Sequence, residues 1–260
     1  MELQRVSQAL DSYIHLSTFP VAVKMVSSTS EIPEKVKRPK RDLGVPMPVC
    51  QGIALVRRYG WSMAMGPEDM LCPVGAVTLG FLPAKAKFLN GSFNIPFWNQ
   101  GVRAKIFRDM PRLEQERYTH LVAAPLNRAD FEPQVIIIYG NPAQISRLIQ
   151  AATHETGKPI VSSSIGALAC SEEITRPILT DRCQFIIAGG GDRVIAQTQD
   201  HELSFAMPIS KAAAIVEGLE ATHKAGMRYP TASFLTFKAG FPPAFSELMD
   251  YLRQDRSMRC

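Results

Sequence analysis

Apolar residues recur with helical or strand-like periods along most of the 260-residue chain. Amphipathic periodicity predicts helices over residues 3–16, 50–59, 141–156, 211–224 and 241–254. Short runs rich in Val, Ile and Leu predict strands over residues 20–26, 121–126, 135–139, 159–163, 183–188 and 202–208. The intervening patterns predict a long surface loop over residues 27–48 and irregular structure over residues 81–110.

The clearest succession of elements starts at residues 135–139, whose continuous apolar run is typical of a strand buried on both faces. A helix capped by Asn141 and Pro142 follows, and residues 159–163 return as a strand, which predicts a βαβ unit. The expected fold class is α/β or α+β, with a mixed sheet flanked by helices and an irregular, cysteine-bearing N-terminal half. We expect one α/β domain over residues 1–260. The alternative is two subdomains: a cysteine-bearing half, 1–115, and a half containing the βαβ unit, 116–260.

Composition narrows the class of protein further. A hydrophobic share of 46% with 20% charged residues is ordinary for a globular chain and excludes wholesale disorder. No apolar run reaches the roughly 18 residues of a membrane span, and no secretory signal opens the chain, so we expect a cytoplasmic protein without a membrane partner. A basic run at residues 35–41 contributes to the net charge of +5. No zinc-finger or helix-turn-helix pattern accompanies it, so no nucleic-acid partner is expected.

Four cysteines carry the strongest chemical signal: Cys50, Cys72, Cys170 and Cys183. In a reducing compartment, dispersed cysteines indicate metal binding, catalysis or plain burial before disulfides. No pair has the Cys-x-x-Cys spacing of a zinc ribbon, a ferredoxin or a thioredoxin. Cys50, Cys72 and Cys170 lie at expected helix starts, where backbone N–H groups stabilise the thiolate that ligation requires. Cys260, at the C-terminus, is set aside.

The cysteines support three interpretations. All-thiolate ligation selects an iron–sulfur cluster or zinc, and ligands this dispersed favour a 4Fe–4S cluster held between elements over a zinc knuckle. The first interpretation is therefore a redox protein with a cluster on Cys50, Cys72, Cys170 and Cys183, serving a redox partner protein, with zinc as the alternative metal. The second is a thiol enzyme with Cys50 or Cys72 as nucleophile, so whether the protein is an enzyme stays open. The third is simple burial of small hydrophobic residues.

A glycine run offers another site, made of Gly189, Gly190, Gly191 and Arg193. Consecutive glycines let backbone N–H groups converge on an anion, and the Arg193 guanidinium could bind phosphate or carboxylate in a bidentate manner. This predicts a metal-free binding module for a small anionic ligand, with a tight turn between strands as the structural alternative. No Gly-x-Gly-x-x-Gly motif, P-loop or following helical pattern supports dinucleotide binding. Whether the chain forms a homo-oligomer stays open.

Several of these features together resemble the uncharacterised family catalogued as domain of unknown function 169. They are the strand ending at Lys24, Cys50 with Gly60, Cys72-Pro-Val-Gly75, strand 135–139 with Asn141-Pro142, Cys170, and the run 189–193. The resemblance covers most of the chain and implies a cytoplasmic prokaryotic protein, often of anaerobes, with recurring cysteines and no known reaction. Members tend to carry a cysteine just before the glycine run, where this chain has Ala188. Cys183 lies earlier, so its equivalence as fourth ligand stays open.

Overall fold

The structure is a computed structural model that describes residues 3–93, 98–231 and 240–254. Two units divide the chain, Met1–Tyr229 and Pro230–Cys260. In the second unit, helix α11 (Pro243–Gln254) is described, with the rings of Phe241 and Phe245 stacked at 5.9 Å. Cys260 lies outside the described residues.

Six strands of the first unit form one sheet in the order β2-β3-β1-β4-β6-β5. They are β1 (Val21–Val26), β2 (Met63–Met65), β3 (His120–Pro125), β4 (Val135–Gly140), β5 (Gln184–Ile186) and β6 (Leu203–Pro208). Every neighbouring pair is antiparallel. The α/β class is confirmed. In the series β2-β3-β1-β4, strands from residues 1–115 alternate with strands from residues 116–260. The boundary between the two units of the chain lies after Tyr229.

The predicted βαβ unit is wrong. The strand at 135–139 and its helix are present, but residues 159–163 form no strand, and β4 pairs antiparallel with β6. Ser162 explains the difference, because its hydroxyl donates to the carbonyl of Phe185 (2.7 Å) and accepts from the Phe185 N–H (3.1 Å). A side chain thus satisfies backbone groups of β5 that a ladder partner would otherwise use.

The described helices of the first unit are α1 (Leu3–Tyr13), α2 (Pro39–Leu43), α3 (Val49–Tyr59), α4 (Pro73–Thr78), α5 (Ala86–Leu89), α6 (Gln100–Asp109), α7 (Pro142–Thr153), α8 (Arg176–Thr180), α9 (Gly190–Ile195) and α10 (Ile209–Lys224). A π-helical turn, Ser171–Thr175, leads directly into α8. The segments predicted as loop and irregular structure therefore contain α2, α5 and α6. Asn99 caps the start of α6, because its side chain accepts a hydrogen bond from the Val102 N–H. Apolar residues are sparse along α6, so periodicity did not reveal this helix. No helix within the described ranges is long and apolar enough to cross a membrane.

Side chains alternate between two cores on the two faces of the sheet. On one face, here called the helix face, α1, α7 and α10 pack on strand residues such as Ala22 and Ile136. On the other, the cysteine face, Val21 and Ile137 join a core that includes residues of α3 and the π-helical turn, with Cys170 packed against it. A smaller cluster next to it joins α4, α5 and α6 through Val74, Val77, Phe88, Phe107 and Met110.

Candidate functional site

Three of the four predicted cysteines lie where helices begin. Cys50 is the second residue of α3, Cys72 is the N-cap of α4, and Cys170 immediately precedes the π-helical turn. Pro48 is the N-cap of α3, and Pro73 is the first residue of α4. Both prolines favour these helix starts, because an N–H at the start of a helix has no hydrogen-bond partner within the helix. The helix-start prediction is confirmed for these three residues. All three side chains are half-buried.

Two of the three cysteines, Cys72 and Cys170, meet beside Gly75 in α4. A Cβ atom built on Gly75 would lie 3.9 Å from Cys72 Cβ and 4.0 Å from Cys170 Sγ. It would also lie 3.3 Å from Cγ2 of Val49, the residue before Cys50. The unfilled Cβ position of residue 75 is therefore bordered by Cys72, Cys170 and the residue that precedes Cys50. We call Cys50, Cys72 and Cys170 the cysteine triad.

Asp192 connects the triad to the glycine run. Asp192 lies on α9, which packs against α3, and the Cys50 thiol and the backbone N–H groups at Gly189 and Asp192 favour the charged form of its carboxylate. Burial outweighs them and raises the pKa of Asp192. Burial, followed by the negative charges of Asp192 and Cys72, raises the pKa of the Cys50 thiol above its usual range. The pKa of Cys170 rises for the same leading reason, followed by the charges of Cys72 and Cys50. The electrostatic coupling shows that the triad and Asp192 share one site.

Two consecutive acids line the next layer. Glu173 is buried and accepts hydrogen bonds from the Tyr139 hydroxyl (3.0 Å) and from Ser204. Burial, followed by the charge of Asp192, raises the pKa of Glu173 to about 7. Burial also raises the pKa of Glu172 to about 7. Buried acids with raised pKa values beside half-buried thiols are the arrangement that marks many functional sites.

A buried ion pair lies next to these acids, on the other side of Tyr139. Arg57 is 1% exposed and binds Glu202 with two hydrogen bonds of 2.8 and 2.9 Å. Its guanidinium carbon also lies 4.0 Å from the ring centroid of Tyr139, a cation–π contact. Because Tyr139 donates to Glu173, a continuous series of polar contacts runs from Glu202 to Glu173 at the edge of the triad.

Cys183 does not join the triad. It packs against the core of the helix face, on the opposite side of the sheet from Cys170. Burial raises its pKa to about 11, with the charge of Lys211 opposing. The alternation that carries Phe185 to the helix face and Ile186 to the cysteine face accounts for this placement. The predicted fourth thiol ligand therefore lies away from the other three.

The structure of the glycine run, residues 189–193, also differs from the predicted one. Gly189 is the N-cap of the short helix α9, so neither a tight turn between strands nor the absence of a following helix is correct. Arg193 donates to the Gln199 carbonyl (2.7 Å) and lies 3.4 Å from an Asp200 carboxylate oxygen. Its guanidinium is thus engaged within the protein. Gly189 is needed for close packing, because a Cβ there would lie 2.2 Å from the Gly166 carbonyl oxygen.

Sequence reasoning missed the acids and their partners: Asp192, Glu172, Glu173, Tyr139, Arg57 and Glu202. A weak signal existed for two of them, because Glu172 and Glu173 follow Cys170 after a single serine. Arg57 gave a similar signal within the apolar helix α3. The position of Asp192 beside Cys50 depends on contacts between distant stretches and had no local signal.

The triad is not a ready site for a single ion. Across the parts of the chain that the structure describes, no group of three or more His, Cys, Asp or Glu side chains is arranged to hold a metal ion. Zinc structural sites bring four ligands to one point at short distances, so the arrangement does not favour zinc. Raised thiol pKa values also oppose the thiolate nucleophile that a thiol enzyme needs.

The fold and the site together define a class: an α/β protein whose antiparallel sheet carries a cysteine triad and buried acids on one face. The chain belongs to the family described as DUF169, uncharacterised ArCR, whose model matches residues 9–218. The resemblance drawn from the sequence is thereby confirmed. An uncharacterised protein of Methanocaldococcus jannaschii is 27% identical over 205 residues, which are 77% of this chain and 86% of the relative. No solved structure matches the chain.

Proposed function

We propose that this protein is a cytoplasmic iron–sulfur protein that holds a 4Fe–4S cluster through Cys50, Cys72 and Cys170 and serves in electron transfer or redox chemistry. The observation that carries the proposal is the approach of two cysteines at Gly75, where Cys72 Cβ and Cys170 Sγ both lie within 4.0 Å of one unfilled Cβ position. Cys50 follows Val49, whose side chain lies 3.3 Å from the same position. The free state of all three thiols accords with a reducing compartment.

The donor set fits a cluster better than a single ion. Thiolates are the characteristic ligands of iron–sulfur clusters, and a cluster distributes its ligands over several irons, so the sulfurs need not converge on one point. Three thiols leave a fourth ligand position. Asp192 is our candidate for it, because its carboxylate and the Cys50 thiol lie close enough to shift one another's pKa.

The chain's own residues set the conditions for binding. Burial keeps the Cys50 and Cys170 thiols protonated when no metal is bound, so cluster binding must displace protons and becomes more favourable as pH rises. When bound, the cluster would supply one-electron redox chemistry. Burial raises the pKa of Asp192 and Glu173, so the negative charge that they add near the site grows as pH rises. Added negative charge lowers a cluster's reduction potential. The half-exposed cysteines keep the site near the surface that a redox partner would approach.

Iron and sulfide analysis of the full chain, produced and purified without oxygen under cluster-loading conditions, tests the proposal. We expect a brown protein with about four irons and four sulfides per chain and a broad visible absorption that reductant bleaches. Cys50→Ser, Cys72→Ser and Cys170→Ser should each lose most of the iron. Cys183→Ser is the matched control, because its thiol lies on the helix face, and it should load like the wild type.

Two outcomes would overturn the proposal. One is a colourless wild type without iron after loading conditions that fill a known cluster protein in parallel. The other is equal iron content in the three triad variants and the Cys183→Ser control. Asp192→Ala tests the fourth position separately: we expect reduced iron occupancy, and unchanged occupancy would remove Asp192 as a ligand while leaving the triad in place.

A further inference from the structure

A small cavity lies on the other side of the helical segment that follows Cys170. Its volume is about 200 Å³, and it lies between α6, the loop before Cys170 and the start of α8. The residues that matter in its lining are Lys105, Met110, Ile165, Leu168, Glu172 and Arg176. The volume is below the ~300–1,000 Å³ typical of sites for drug-sized ligands, so only a compact molecule fits.

Two polar atoms in the lining have no hydrogen-bond partner in the described part of the protein. They are Oε2 of Glu172 and Nε of Arg176. Glu172 is only 4% exposed, and its Oε2 accepts no hydrogen bond from the described residues. Buried polar groups are nearly always paired, and leaving one unpaired is costly. An unpaired acceptor and an unpaired donor in one cavity therefore indicate a ligand that supplies both complements.

The spacing of the two atoms limits the ligand. Glu172 and Arg176 are four positions apart on one continuous helical segment, so their side chains project from neighbouring positions of the same face. A ligand that meets both must carry its donor and acceptor groups close together. Lys105 adds a second positive charge and Asp109 a second negative one. Ile165, Leu168 and Met110 supply an apolar wall.

We propose that this cavity binds a small carboxylic acid that carries a hydroxyl or amino group on its α-carbon and a short aliphatic side chain. The ligand carboxylate accepts from Arg176 and faces Lys105. The α-hydroxyl or α-amino group donates to Glu172 Oε2, and the aliphatic group packs on Ile165 and Leu168. This inference goes beyond the proposed cluster, because it rests on the cavity alone and does not require iron.

Calorimetric titration of the anaerobically purified full chain with four probes tests the inference. The probes are 2-hydroxy-3-methylbutanoate, L-valine, 3-methylbutanoate and 3-methyl-2-butanol. We expect one of the first two to bind, and the preferred one tells a hydroxyl ligand from an amino ligand. The third probe lacks the donor and the fourth lacks the carboxylate, so each should bind at least about tenfold more weakly.

Variants assign the binding to this cavity. Glu172→Gln removes the charged acceptor and Arg176→Lys removes the Nε donor, and each should weaken the preferred probe at least about tenfold. Glu217→Gln on α10 is the exposed control for the first exchange, and Arg5→Lys on α1 is the exposed control for the second. Both controls should bind like the wild type.

A third variant guards against misfolding. Ser163 is an exposed residue at the rim of the cavity, so Ser163→Phe should block entry without disturbing the core. The inference is overturned if no probe binds the wild type, or if Glu172→Gln, Arg176→Lys and Ser163→Phe all bind the preferred probe with wild-type affinity. Neither result would affect the iron content that tests the cluster proposal, so the two failures are distinguishable.

Discussion

The two faces of the sheet are built on different principles. The helix face is covered by the helices α1, α7 and α10, whose buried residues are mainly aliphatic, with Arg147 of α7 as a buried charge. The cysteine face is covered in part by short helices and a π-helical turn, and it buries Arg57, Glu173 and Glu202 among its apolar residues. Burying charge costs free energy unless every group is paired. Here Arg57 and Glu202 bind each other, and Glu173 accepts from Tyr139 and Ser204.

Glycine has opposite uses on the two faces. On the helix face, Gly218 lets α10 approach α7 so closely that a Cβ there would lie 2.2 Å from the Ala151 carbonyl oxygen. On the cysteine face, a Cβ at Gly75 would meet no atom closer than 3.3 Å and would project between cysteine side chains. Gly218 permits close packing of two helices, and Gly75 leaves the Cβ position between Cys72 and Cys170 unfilled. The comparison teaches that the helix face stabilises the fold while the cysteine face sacrifices packing to keep a site.

The largest expected effect comes from the buried ion pair. Arg57→Ala should lower the free energy of unfolding by ~3–5 kcal/mol, because it leaves the Glu202 carboxylate buried without its bidentate partner. Urea denaturation measures the change. Arg58→Ala is the control: this side chain is 25% exposed, contacts the same carboxylate, and should cost only ~1 kcal/mol or less.

A double variant shows whether that loss comes from the unpaired charge. Arg57→Met combined with Glu202→Met removes both charges and should be more stable than Arg57→Ala alone. If the double variant is equally unstable, the loss reflects packing, and the contrast in buried charge between the two faces loses its energetic basis.

The second largest expected effect on stability comes from the close packing of α7 and α10. Gly218→Ala should destabilise the protein by ~1–3 kcal/mol through overpacking, even though alanine is intrinsically the better helix former by ~1 kcal/mol. Thermal and urea unfolding measure the effect, and iron content should be unchanged in protein that folds. A variant as stable as the wild type would show that the helices separate without cost.

The matching change on the cysteine face should behave in the opposite way. Gly75→Ala should alter the free energy of unfolding by less than ~1 kcal/mol, because the added Cβ meets its neighbours at 3.3–4.0 Å in a helix. Iron content after loading should nevertheless fall, since the methyl group projects into the space between the cysteines. Gly101→Ala, in α6 and away from the triad, is the control and should load normally. Normal iron content in Gly75→Ala would contradict the proposed position of the cluster.

The smallest expected effect is a pH dependence of the ion pair. Burial alone would raise the pKa of Glu202, but hydrogen bonds from Arg57 and the Gln199 N–H, with the nearby arginine charges, outweigh it and lower the pKa. The stabilisation is therefore complete above the unfolded pKa near 4.5 and is lost as pH falls through the folded value. The stability difference between wild type and Glu202→Gln should be constant from pH 7 to 5 and shrink below. A stability difference that grows on acidification would contradict the prediction, because it would mean that folding raises the pKa of Glu202.

Prediction from sequence succeeded where the signal is local. The long helices α1, α7 and α10 and the strands β1, β3, β4 and β6 follow from periodicity, and Asn141 marks the start of α7. The cysteines at helix starts were recognised for the same reason. Short elements failed: α5 and α6 lie in a segment predicted to be irregular, and the strand predicted at residues 159–163 is absent, because Ser162 uses its side chain to bond β5.

Local periodicity and cap chemistry are properties of neighbouring residues, so the identity of most helices and strands and the helix-start positions of Cys50, Cys72 and Cys170 are readable along the chain. Which cysteines share a site is not readable there. Cys183 is separated from the triad by the thickness of a sheet, and Asp192 is brought to Cys50 by packing across more than half of the chain. A face of a sheet exists only once distant strands have paired, so folding alone selects the partners on it.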